Sequence, residues 1–302
     1  MAEMIREVMG NGNIGASILK AIVESSKFNI SVLIRPTSQN QYPDNVRTIV
    51  SDYSMTSLIE AFKGHDAVVS ALGAGGLDNE IRMIDAAVTA GVKHFIPSQF
   101  GSNTQSKKAC ELLPILATKA AILGHLKKRG GQIKWTGIIT GLAFDWGLQI
   151  GLLGFDINQH TALVMDGGDR AFSVTTLSQI GNAVVAVLST PDQNINKVIY
   201  IHSFTATQNQ ILASLEKASG RAWETTYCTA ADAVTRGLEL FKKGEFSGLL
   251  LLLNAISLGE GYGSNHLVDV ELANRELGLP EQSMHQIIAA LTRGTVALMK
   301  EQ

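Results

Sequence analysis

Between Asn29 and Ile139, short β-branched runs alternate with segments of helical spacing, and this alternation limits the fold more than any single motif. Ile30 to Ile34, Val46 to Val50, Asp66 to Leu72, His94 to Pro97 and Ile133 to Ile139 read as strands. Met55 to Phe62, Glu80 to Ala90 and Leu116 to Arg129 carry helical periodicity. Strands joined through helices make right-handed crossovers, so the expected class is α/β, a doubly wound parallel sheet with helices on both faces. With 302 residues and 45% hydrophobic composition, the chain has enough apolar mass for one large domain or two closely packed ones.

After about residue 150 the rhythm loosens. Leu163-Val164-Met165 followed by Gly167-Gly168 suggests a hairpin, Leu177 to Leu188 a helix, and Val198 to Ile201 a strand that rejoins the main sheet. Gln208 to Gln302 reads as mostly helical. The expected division is therefore 1–150, with 176–204 returning to it, and a smaller, mostly helical C-terminal region within 151–302. The run Leu249 to Leu253 is too short to span a bilayer and reads as core helix or as a lid over an apolar ligand.

The stretch Val8 to Lys20 contains Gly10, Gly12 and Gly15 in the spacing G-x-G-x-x-G, followed by Ile18, Leu19, Ile22 and Val23 on a helix face. In this context the loop residues Gly10, Asn11, Gly12, Asn13, Ile14 and Gly15 would present the free amides of a helix N-terminus to a pyrophosphate, as in a Rossmann-type domain. About twenty residues on stands Arg35, with Thr37 and Ser38 close behind. A guanidinium with neighbouring hydroxyls suits the 2′-phosphate of NADP, where an acidic residue would suit NAD. NADPH/NADP is the expected cofactor. Arg6-Glu7 places charges where a buried parallel strand wants an apolar run. The first strand is therefore expected to be short, beginning near Glu7, or the start of the chain to differ from its relatives.

The segments Met9 to Gly15, Val32 to Ser38, Asp66 to Leu72 and Lys93-His94-Phe95-Ile96-Pro97-Ser98-Gln99-Phe100-Gly101 together resemble the isoflavone reductase-like, or NmrA-like, branch of the atypical short-chain dehydrogenases. Phe144-Asp145-Trp146-Gly147-Leu148 is most similar to fungal members. The resemblance implies a Rossmann-type fold, an NADP cofactor reaching Gly73, Gln99 and Phe100, and a catalytic lysine, which falls on Lys119. Two departures stand out. Met9 replaces a further glycine of the family loop, and Gln99 replaces the acid of P-S-E-F-G, keeping hydrogen bonding but unable to act as a base.

Lys119 interrupts an apolar helix segment, where partial burial would lower its pKa and fit it for proton transfer; snorkelling to solvent is the alternative. The Y-x-x-x-K pair of ordinary dehydrogenases is absent. The fourth residues after Tyr42, Tyr53, Tyr200, Tyr227 and Tyr262 are Val46, Ser57, Phe204, Ala231 and His266. Phe100, Phe144 and Trp146 fall at expected carboxyl ends of strands, the edge where ligands bind. They are candidate walls of an aromatic-substrate pocket, with core packing equally open for Phe144. Asp145 reads either as a pocket acid or, preferentially, as a helix N-cap.

A net charge of −2 offers no basic field for nucleic acid. Lys127-Lys128-Arg129 reads as a solvated helix end. Cys110 and Cys228 lie far apart, and the histidines, His94, His125, His160, His202, His266 and His285 among them, lack metal-ligand spacing, so neither metal nor disulfide is expected. The N-terminus lacks the apolar segment of a signal peptide, and a cytoplasmic, reducing setting is expected. The leading functional expectation is an NADPH-dependent reductase of a small aromatic or polyketide-like metabolite, with membrane and nucleic-acid partners not expected and a homodimer left open. A dinucleotide-binding regulator without catalysis, and a relative with a non-redox reaction, are the alternatives.

Overall fold

In the computed structural model the described residues are 3–7 and 12–300, with side chains described over 12–293. The chain runs β1 (Glu3–Glu7), α1 (Asn13–Ser25), β2 (Asn29–Ile34), β3 (Val46–Val50), α2 (Met55–Phe62) and β4 (Ala67–Ser70). A 3-10 turn (Ala74–Asn79) then leads to α3 (Glu80–Ala90), β5 (His94–Ile96), α4 (Lys107–Leu112), α5 (Pro114–Lys128) and β6 (Lys134–Ile139). Next come β7 (Leu142–Ala143), α6 (Phe144–Gln149), β8 (Phe155–Asp156), β9 (Thr161–Met165), β10 (Phe172–Thr175), α7 (Leu177–Ser189) and β11 (Lys197–Tyr200). The remainder is β12 (Phe204–Ala206), α8 (Gln208–Ser219), β13 (Glu224–Cys228), α9 (Ala230–Lys242), α10 (Phe246–Leu258), α11 (His266–Asp269) and α12 (Met284–Lys300).

The main sheet has the order β11-β6-β5-β4-β1-β2-β3, and its neighbours are all parallel. Strand order reverses between β1 and β4, which is where open α/β sheets leave a crevice at their carboxyl edge. The two faces of the sheet explain the near-continuous apolar runs. Val32, Val69 and Ile96 pack toward Ile18 and Ile22 of α1 and Ile180, Val184 and Val187 of α7. Their neighbours Leu33, Val68 and Phe95 point the other way, toward Leu58 and Phe62 of α2, Ile84 of α3 and Ile122 and Leu126 of α5. This is the period of two that a strand buried on both faces must satisfy with apolar residues.

Two readings of the sequence are corrected here, and a third is refined. The first strand does not begin near Glu7; it spans Glu3–Glu7 and lies between β2 and β4, because its backbone completes a parallel ladder on both sides. β9 does not turn back at Gly167-Gly168. It pairs antiparallel with β8 before it and parallel with β13 far along the chain, while Gly167 and Gly168, at φ 81° and 77°, turn the backbone away toward β10 in another sheet. β13 also adds a strand to the segment read as mostly helical. β11 lies beside β6 in the main sheet. A separate apolar cluster lies under β8, β9, α8 and α10, with Phe155, Ile211, Leu215 and Leu258 at its centre.

Helix α7 closes against α1 through a glycine. A Cβ on Gly181 would fall 2.7 Å from Ala21 Cβ and 2.8 Å from the Ser17 carbonyl oxygen, so the helices approach too closely for a methyl group. Gly181→Ala is expected to destabilise the chain by about 1–3 kcal/mol through overpacking, measured as a lowered midpoint in chemical denaturation.

Candidate active site

At the crevice between β1 and β4 a cleft of about 340 Å³ opens along the carboxyl edge of the sheet. One end is formed by Gly12, Asn13, Ile14 and Gly15, the first turn of α1. Gly12 is the N-cap of that helix in extended conformation, and among the described residues no side chain caps the first-turn amides. A 13-residue helix with an uncapped, glycine-lined N-terminus supplies donors and a positive dipole end for an anion. Gly10 and Asn11, the earlier residues of the loop, lie outside the described residues.

The opposite wall comes from the ends of β4 and β5 and from α5. Ala71, Leu72, Gly73 and Ala74 follow β4, and Ser98, Phe100 and Gly101 follow β5. Ile115, Leu116 and Lys119 face the cleft from α5, and Trp146 of α6 with Leu249 and Leu253 of α10 cover it. Leu249 and Leu253 are one helical turn apart and present one face to the cleft, while Leu252 between them is fully buried against α4 and α5. Leu249 and Leu253 also pack on the cluster that buries Leu252, so the run is core helix that also contributes two side chains to the cleft lining.

Lys119 is the only charged side chain among the described residues lining the cleft. It is 9% exposed, and its Nζ donates to the Phe100 carbonyl oxygen at 3.0 Å. Burial among apolar side chains disfavours its charge and lowers its pKa to about 8, while the negative charge of Glu80 pulls it back upward. The side chain does not snorkel to solvent. His125, six residues on, faces elsewhere and meets Asp85 at 2.7 Å, and Arg129 meets the same carboxylate at 2.6 Å. His94 is tied to Thr136 Oγ1 at 2.9 Å, with its pKa lowered to about 4 by burial and by the charge of Lys134.

The other expected site residues divide. Phe100 and Trp146 line the cleft. Phe144 does not: it is fully buried in the cluster beneath β9 and β10, its ring meeting Phe204 edge-on at 4.8 Å. The helix starting at Phe144 directs that ring inward and leaves the indole two residues later at the cleft. Asp145 is not the N-cap of its own helix, since Ala143 holds that position. Its Oδ1 instead accepts from the Trp146 amide at 3.1 Å and the Leu177 amide at 3.0 Å, serving the first turn of α7.

Gln99 turns away from the cleft. Its Nε2 donates to the Lys119 carbonyl oxygen at 2.9 Å, and its Oε1 accepts from Thr104 Oγ1 at 2.7 Å. Both ends of the amide are thereby committed to holding α5 and the segment after β5. Arg35, Thr37 and Ser38 follow β2, the sheet neighbour of β1, so they stand on the same carboxyl edge as the glycine loop. They are not part of the cleft lining; Arg35 is exposed, and the Ser38 amide donates to the Arg35 carbonyl in a turn.

Sequence reasoning missed Glu80. Its carboxylate is fully buried, accepts from the Ser98 amide at 2.7 Å, and has its pKa raised by burial against the opposing effects of that amide, the Ser70 hydroxyl and Lys119. Nothing in the sequence distinguishes it from a solvated carboxylate in the first turn of a helix, where acidic residues are common.

Similarity to known proteins agrees with this geometry. The NmrA-like family model matches residues 4–241. Oxidoreductase aprR of Aspergillus flavus is 31% identical over 291 residues, covering 95% of this chain and 98% of its own. The chain belongs to the NmrA-like family. Among solved structures, isoflavone reductase superposes with a TM-score of 0.76 at 19% identity, covering 96% of this chain and 99% of that one. The structure of AtPrR2 with NADP+ and (+)pinoresinol gives a TM-score of 0.78 at 19% identity, with the same coverage. These two similarities establish a shared fold.

The contrast between Phe144 and its neighbour yields a test. Phe144→Ala is expected to cost about 3–5 kcal/mol of stability through the cavity it leaves. Trp146→Phe is expected to leave the unfolding midpoint nearly unchanged while removing any ligand-dependent change in indole fluorescence from the cleft; paired denaturation and fluorescence titrations check both.

Proposed function

We propose that the chain is an NADPH-dependent reductase of a small, largely apolar metabolite, aromatic or polyketide-like. The observation that carries this reading is Lys119, the only charged side chain among the described residues lining a mostly apolar cleft that also receives the N-terminus of α1. The fungal relative is an oxidoreductase by name, and the structural neighbour AtPrR2 is solved with NADP+ and (+)pinoresinol. Both favour the same reading.

The residues present fit the cofactor. The amides of Gly12 to Gly15, continuing the loop of Gly10 and Asn11, would receive the pyrophosphate, and Arg35 with Thr37 and Ser38 would meet the 2′-phosphate. Gly73 and Phe100 would border the nicotinamide end. When bound, NADPH supplies a hydride to a polarised C=C, C=O or C=N bond, or to a quinone-methide-like intermediate. The complementary proton comes from Lys119 Nζ, which the Phe100 carbonyl holds at the cleft wall. Phe100, Trp146, Leu249 and Leu253 would exclude water and pack against the substrate ring.

A calorimetric titration with NADPH, NADP+, NADH and NAD+ tests the cofactor assignment. NADPH is expected to bind more tightly than NADH, and Arg35→Ala to weaken NADPH binding by roughly tenfold to a hundredfold, the loss of a charge-assisted hydrogen bond, with NADH little affected. Binding of oxidised dinucleotides alone, without turnover on any aromatic substrate, points instead to a regulator. Absence of binding to all four overturns the redox reading.

The lowered pKa of Lys119 sets a pH dependence. The proton-donating form is the ammonium, so a rate that depends on it is fully supported well below pH 8 and declines as pH rises through about 8. Lys119→Met is expected to lower turnover by roughly a hundredfold or more and to abolish that alkaline limb, measured as a pH–rate profile on any accepted substrate.

A further inference from the structure

Resting on the assignment of Lys119 as the proton-handling group, we propose that Glu80 is its positioning residue and supplies, from the start of α3, the buried carboxylate that Gln99 lacks at the end of β5. Three consecutive residues carry the geometry. The Ser98 amide donates to Glu80 Oε1 at 2.7 Å, the Gln99 side chain donates to the Lys119 carbonyl oxygen, and the Phe100 carbonyl accepts from Lys119 Nζ. The segment that grips Lys119 at both ends is therefore anchored at its first residue by Glu80. Ser98 Oγ, donating to the Leu72 carbonyl at 2.8 Å, ties the same segment to the end of β4.

Glu80 is fully buried, and its second oxygen, Oε2, has no hydrogen-bond partner among the described residues. A buried carboxylate served only by the Ser98 amide and the neighbouring Ser70 hydroxyl is costly unless a cation balances it. Glu80 and Lys119 form no ion pair within contact distance; they are linked through the Ser98 amide and the Phe100 carbonyl, and across that segment each charge favours the other. The other ionisable groups around α5 are engaged elsewhere or stand at the surface. Asp85 of α3 holds His125 and Arg129 of α5. On α4, Lys107 faces Glu111, Lys108 reaches the Glu260 carbonyl and the Tyr262 ring, and the Cys110 thiol bonds the Thr104 carbonyl. Asp78, in the turn before α3, is exposed.

An acid at position 99, as in the family motif, would replace the Gln99 amide that now donates to the Lys119 carbonyl. Placing the carboxylate on α3 leaves that donor intact. This chain thus combines an amide that fixes the helix backbone with a carboxylate that balances the ammonium.

The test reads Lys119 itself and needs no substrate. The pH dependence of Lys119 acetylation by trace acetic anhydride, followed by mass spectrometry against an exposed lysine, gives the titration midpoint of the amine in the full chain. Glu80→Gln keeps an acceptor for the Ser98 amide and removes the charge. Its expected effect is a midpoint lower by about one pH unit, seen as roughly tenfold faster labelling at a fixed pH below it, and partly restored by adding Gln99→Glu. An unchanged midpoint in folded Glu80→Gln overturns the proposal and leaves Glu80 a structural anchor. Should that variant fail to fold, the carboxyl carbon of Glu80 is followed by NMR in the unsubstituted chain and in Lys119→Met. Its titration is expected to move to higher pH when the ammonium is lost, and an unmoved titration overturns the pairing. NADPH titration of the same unsubstituted sample separates the two ideas: no binding refutes the reductase reading, while the amine titration decides the pairing independently.

Discussion

An ammonium group buried in an apolar cleft with one backbone carbonyl as its acceptor is the constraint around which the rest of the site is arranged. Left alone, such a group would lose its proton or swing to solvent. It stays in the cleft, its pKa lowered to about 8, because α5 is fixed by the Gln99 amide at the lysine's own carbonyl and because Phe100 comes off β5 with its carbonyl turned toward Nζ. The chemistry available to the cleft follows from this arrangement. On the proposed reading, its mostly apolar walls suit a hydrocarbon framework, and Lys119, beside Asn13, Ser98 and Ser102, is the one charged group among the described lining residues that could move a proton.

The sheet makes that arrangement geometrically cheap. β1 and β4 are neighbours whose following segments leave in different directions, so the glycine-led α1 and the residues after β4 and β5 meet at one crevice without any long loop. The two apolar faces of the sheet then fix α1 with α7 on one side and α3 with α5 on the other. Lys119 and the N-terminus of α1, separated by about a hundred residues in sequence, thereby share a cleft. The C-terminal part contributes a roof, through Leu249 and Leu253 of α10, and little of the polar chemistry.

Much of this was legible in the sequence because parallel strands and amphipathic helices announce themselves by periodicity. The alternation from Asn29 to Ile139 follows the order of the elements closely, with strand ends differing by one or two residues. Lys119 was legible as a break in an apolar helix face. What was not legible depends on direction and on distant pairing. Phe144 and Trp146 are two residues apart on one short helix, and only the packing of that helix decides which ring enters the core and which the cleft. Asp145 has the composition of a cap, but the helix it serves begins at Leu177. The strand β13 gains its partner from β9, some sixty residues earlier, and its own sequence, Glu224-Thr225-Thr226-Tyr227-Cys228, gives little sign of it. Glu80 is the strongest case. A glutamate beside the start of a helix is ordinary until the fold carries β5 across it and shuts out solvent.

The central claim is that the glycine-led helix and Lys119 flank one dinucleotide site. A crystal structure of the chain soaked with NADP+ tests it most directly. The expected result places the pyrophosphate at the amides of Gly12 to Gly15, the 2′-phosphate against Arg35, and the nicotinamide ring in the cleft beside Lys119 and Phe100. A dinucleotide bound with its nicotinamide away from Lys119, or outside this cleft altogether, would contradict the account.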